Sequence, residues 1–78
     1  MKYYKREFTA LNDNWYFEVE LSETTTWVAF EKDMVSVKQG YYFDKEPGDG
    51  YTPITKAEFK DALKTAILHL IETNGIEI

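Results

Sequence analysis

The chain has 78 residues with no cysteine, 9 basic against 14 acidic side chains, a net charge of −5 and 17% aromatic residues. That length predicts one domain, 1–78, with a thin margin of stability, and without thiols neither a disulfide nor a cysteine-ligated zinc can reinforce the core. The acidic balance disfavours direct nucleic-acid binding, which needs a basic face to release counterions. No apolar run approaches the ~18 residues of a membrane span, and the start MKYYKREF lacks a signal-peptide core, so the expected address is cytoplasmic with no membrane partner.

The first strand is expected over about 2–10, ending in the turn chemistry of Leu11-Asn12-Asp13-Asn14. Asn14–Leu21 is the clearest strand, because Trp15, Phe17, Val19 and Leu21 alternate with Tyr16, Glu18 and Glu20. Further strands are expected over 26–31 and 34–38. Gly40 is either a bulge or part of a Gln39-Gly40 hairpin into a strand over 41–44.

Turn lengths suggest a register. A two-residue turn between Leu11 and Asn14 sets Phe8 opposite Phe17. A four-residue loop between Leu21 and Thr26 sets Phe17 opposite Phe30 and Val19 opposite Val28. A Lys32-Asp33 turn sets Phe30 opposite Val35 and Val28 opposite Val37. Together these choices make one continuous apolar face.

Residues 45–51 (KEPGDGY) read as loop. A helix is predicted over about 56–73: Thr55 and Glu58 have capping-box spacing, Ile54 and Phe59 are placed as a hydrophobic staple, and Phe59, Leu63, Ala66, Ile67 and Leu70 share one stripe. Asn74-Gly75 supplies a stop, with Ile76 folding back towards Ile71. The expected fold is therefore α+β: an antiparallel meander of four strands, or five with 41–44, and one C-terminal helix on one face in a two-layer sandwich.

One helix covers one face, so the sequence points to the opposite face as the place for a partner. The register assigns that face Tyr3, Tyr16, Trp27 and Met34 as an apolar group, with Glu7, Glu18, Glu20 and Glu31 around it; of these, Tyr3, Tyr16, Glu18, Glu20, Trp27, Glu31 and Met34 are the candidate contact residues. Large exposed aromatics favour interfaces, and they also stabilise open sheets by cross-strand packing. The function expected is a non-catalytic protein–protein interaction module. Two alternatives stand beside it: an acidic decoy that mimics nucleic acid towards a basic protein, and a small-ligand binder or enzyme with a pocket between Tyr42, Tyr51 and Phe59. A homodimer through the open face or a strand edge is compatible with the first two.

No cofactor, metal or catalytic residue is expected. Asp44, Glu46 and Asp49 lack the spacing of a calcium loop, and His69, the single histidine, has no cysteine to complete a transition-metal site. Ser22 and Ser36 have no His/Asp arrangement to activate them. Leu68 falls outside the helix stripe and reads as an ordinary exposed leucine or, alternatively, as a helix-side contact.

Overall fold

The computed structural model describes residues 1–32 and 34–74. Five strands, β1 (Lys2–Phe8), β2 (Asp13–Val19), β3 (Thr24–Phe30), β4 (Val35–Tyr42) and β5 (Thr52–Ile54), precede one helix, α1 (Lys56–Asn74). The sheet order is β4-β3-β2-β1-β5 with antiparallel neighbours throughout. This is the α+β fold expected, an antiparallel sheet with a C-terminal helix packed against it. Asp33, Gly75 and Ile76 lie outside the described residues, and with them the central part of one turn and the proposed fold-back of the tail.

The fifth strand is not 41–44. β4 runs through Gly40 to Tyr42, and β5 forms at the far edge, where Tyr3 faces Ile54 and Lys5 faces Thr52. Between them, residues 43–51 cross four strand spacings, ~19 Å, which nine residues span comfortably at ~3.3 Å each.

The hairpin turns set the faces. Between β1 and β2, Leu11 N–H donates to the Phe8 carbonyl and Asn12 adopts φ 57°. This four-residue loop brings Phe8 opposite Asp13 rather than Phe17. The slip is four residues, an even number, so Phe8 and Phe17 still share a face.

Between β2 and β3, Glu23 N–H donates to the Glu20 carbonyl and Ser22 takes φ 62°, a short loop closed by a left-handed residue. It sets Phe17 opposite Trp27 instead of Phe30. That slip of three residues is odd and exchanges the faces of β3 relative to β2. The β3–β4 register is as expected, with Phe30 opposite Val35 and Val28 opposite Val37.

One continuous apolar face is therefore replaced by two. On the helix side Val28, Phe59 and Ala66 form a buried cluster joined by Tyr3, Tyr16, Phe30, Val35, Ile54 and Leu63. On the other side Tyr4, Phe17 and Val19 are buried, joined by Trp15, Trp27, Phe43 and Tyr51. The face opposite the helix is covered in part by the ends of the 43–51 crossing, so the sheet lies between a helix and a loop.

The helix start is the capping box that the sequence announces. Glu58 N–H donates to Thr55 Oγ1 at 3.1 Å, and Thr55 N–H donates to Glu58 Oε1 at 3.2 Å. Ile54 joins the Phe59 cluster, the staple of that cap. The buried stripe is Phe59, Ala62 and Ala66, while Ile67 stays 43% exposed. Two alanines let the helix approach the sheet closely, and that leaves Ile67 on the flank.

Candidate binding site on the aromatic face of the sheet

The side chain at the centre of the face opposite the helix is Phe17, 4% exposed. Four rings surround it: Tyr51 at a centroid distance of 5.4 Å, Phe43 at 6.1 Å, Trp15 at 6.2 Å and Trp27 stacked at 6.5 Å. Phe43 and Tyr51 meet edge to face at 5.8 Å, which ties the two ends of the crossing loop together above the sheet. These five residues line a cavity of about 170 Å³.

The backbone explains how the outer rings reach it. β4 carries a bulge: Thr26 faces Gln39 and Thr25 faces Tyr41, so Gly40 is the extra residue, at φ 131°. A bulge shifts side-chain alternation by one position, and Phe43 then falls on the Phe17 side. The Phe43 carbonyl accepts a bond from Ser22 N–H at 3.0 Å. At the other end Gly50, at φ 89°, turns the chain so that Tyr51 N–H donates to the Gly48 carbonyl. Arg6 fixes Tyr51 from outside, donating from Nη1 to its hydroxyl at 3.2 Å. The Arg6 guanidinium carbon lies 5.0 Å from the Tyr51 ring and 4.9 Å from the Phe8 ring.

Polar atoms under this face are incompletely satisfied. Trp15 Nε1, Thr25 Oγ1 and Ser36 Oγ are buried without a hydrogen-bond partner. A buried donor or acceptor without a partner costs about 1–3 kcal/mol.

The structure divides the seven residues that the sequence assigns to one open face. Trp27 lies on the aromatic face. Tyr3 and Tyr16 lie under the helix: Tyr3 is 5.5 Å from the Phe59 ring, and Tyr16 is edge to face with Phe30 at 5.8 Å. Loss of solvent, and secondarily the Glu18 carboxylate, hold the Tyr3 hydroxyl above its usual pKa of 10. Glu18 is therefore on the helix side as well, while Glu20, Glu31 and Met34 sit in the turns. Glu7 faces Asn14 rather than Glu18 and pairs with Lys5 at 3.0 Å. The physical reason is the three-residue slip at Ser22, which carries Trp27 away from Tyr16.

Tyr42, Tyr51 and Phe59 do not converge either: Phe59 is buried between the helix and the sheet, Tyr51 is over the aromatic face on the other side, and Tyr42 is 59% exposed. Phe43, which sequence reasoning passed over, takes the place beside Tyr51. The signal for it was the pair of aromatics bracketing DKEPGDG.

A larger concavity, about 460 Å³, is an open groove beside the helix lined by Lys5, Asn14, Tyr16, Glu58, Asp61 and Thr65 among others. Two of its charges are already committed, Lys5 to Glu7 and Glu58 to the helix cap. Glu46 pairs with Lys2 across the loop. Among the described residues no helix is long and apolar enough to cross a membrane, and no group of three His, Cys, Asp or Glu side chains is placed to hold a metal. No family model, curated protein or solved structure matches the chain.

Proposed function

We propose that this protein is a non-catalytic protein-binding module that takes one apolar side chain of its partner into the Trp15/Phe17/Trp27/Phe43/Tyr51 cavity. The observation that carries this reading is the size of that cavity together with its aromatic walls. At about 170 Å³ it is close to the roughly 150 Å³ that holds a benzene-sized group, and below the ~300–1,000 Å³ of sites for drug-sized ligands and cofactors. Aromatic walls supply large contact area at low entropy cost, the composition found at interface hot spots. The aromatic cavity gives this reading a specific observation of a kind that the acidic-decoy alternative lacks.

The two tryptophans of the chain, Trp15 and Trp27, both line the cavity, so intrinsic fluorescence reports on its occupancy. The test is peptide-display selection on the folded protein, followed by fluorescence titration of the selected peptides. Selected peptides should share one large apolar residue and shift the tryptophan emission, and replacing that residue by Ala should weaken binding at least about tenfold. Peptides that bind without moving the emission would overturn this assignment.

A further inference from the structure

On the helix flank, away from the aromatic cavity, two ridges at i, i+4 spacing run side by side. One is Leu63, Ile67 and Ile71. The other is Lys56, Lys60, Lys64, Leu68 and Glu72. Between them lies a groove of about 280 Å³ walled by Lys60, Leu63, Lys64, Ile67, Leu68 and Ile71. Ile67 and Leu68 are 43% and 50% exposed. Neither Lys60 nor Lys64 takes part in an ion pair among the described residues.

We propose that this groove is a homodimer interface in which two copies of α1 pair antiparallel about a two-fold axis. The argument is charge complementarity along the outer ridge, which is basic in its first half and acidic at its end. A two-fold axis requires that residue i meet j and j meet i. An axis beside position 66 pairs Lys60 with Glu72 of the second copy, and the same axis lays the Lys64 stem over Leu68 of the second copy. Both contacts occur twice per dimer. Lys60 and Glu72 are ~18 Å apart along the helix, so the apolar residues occupy the middle and the ion pairs the ends. A parallel pairing would set the lysines against lysines. This interface goes beyond the binding cavity and lies on the helix, on the other side of the sheet from it, so either assignment can fail alone.

The test is sedimentation equilibrium from micromolar to about 1 mM chain, the range that spans weak to moderate self-association. The wild type should follow a monomer–dimer equilibrium that weakens as salt rises. Leu68→Lys, which sets a like charge against Lys64 of the second copy, should leave the circular dichroism unchanged and weaken association at least about tenfold. Lys60→Glu and Glu72→Lys should each weaken it about fivefold. The Lys60→Glu/Glu72→Lys double variant should recover wild-type association, because the pair is restored with its signs exchanged. A monomer at all concentrations, a dimer indifferent to Leu68→Lys, or a double variant no better than the singles would overturn the proposal.

Discussion

Thr25 has no accessible surface and its hydroxyl has no partner, so the hydroxyl has lost water and gained nothing in return. Thr25→Val keeps the β-branched shape and removes the orphaned group. It should raise stability by about 1–2 kcal/mol, read as a higher urea midpoint, whereas Thr25→Ser, which keeps the hydroxyl and removes a methyl, should lower it by about 1 kcal/mol. An unchanged midpoint for Thr25→Val would mean that the hydroxyl is hydrogen-bonded in solution. Tyr3 shows the same accounting for a titrating group. Its hydroxyl pKa is raised above 10 by loss of solvent and then by Glu18, so the fold favours the neutral phenol. The stability this contributes is complete below pH 10 and is lost as pH rises through the folded value. Denaturant midpoints between pH 8 and about 11.5 should fall less steeply for Tyr3→Phe than for the wild type; equal slopes would refute the shift.

At the scale of elements, Gly40 has the clearest consequence. A Cβ there meets nothing within 4 Å, but the backbone is at φ +131°, so Gly40→Ala is penalised by conformation alone, by roughly 1–3 kcal/mol. If β4 relieves the strain by losing its bulge, Phe43 turns off the aromatic face. The variant should therefore show a lower urea midpoint together with altered tryptophan emission; a normal midpoint would show that the bulge tolerates a side chain. The same distinction between local and distant causes explains what the sequence revealed. The Thr55/Glu58 cap and the pairing of Phe30 with Val35 depend on residues close in sequence and were legible. The β2–β3 register was not, because it depends on Ser22 adopting a left-handed conformation that its residue type permits but does not announce. Setting Phe17 opposite Phe30 instead of Trp27 shifted the pairing by three residues, an odd number, which moved Trp27 to the wrong side and the candidate surface with it. The Thr52–Ile54 strand was hidden for another reason: it is three residues long, holds Pro53, and has no pattern until β1 is beside it.

Across the whole molecule, both edges of the sheet resist further strands. β5 is short and carries Pro53, which has no N–H to offer a neighbour, and β4 is interrupted at Gly40 and bears the exposed Lys38. Association is thereby directed to side chains, to the helix flank and to the aromatic cavity, rather than to open backbone. The placement of β5 beside β1 also sets an order in time. Hairpins close in microseconds, so β1 to β4 can pair as soon as they are available. Tyr51 and β5 are made later, and synthesis at about 5–20 residues per second puts roughly a second between the end of β4 and the end of β5. During that second Trp15, Phe17 and Trp27 have no loop above them, so a nascent chain holds these rings bare until residues 43–54 follow.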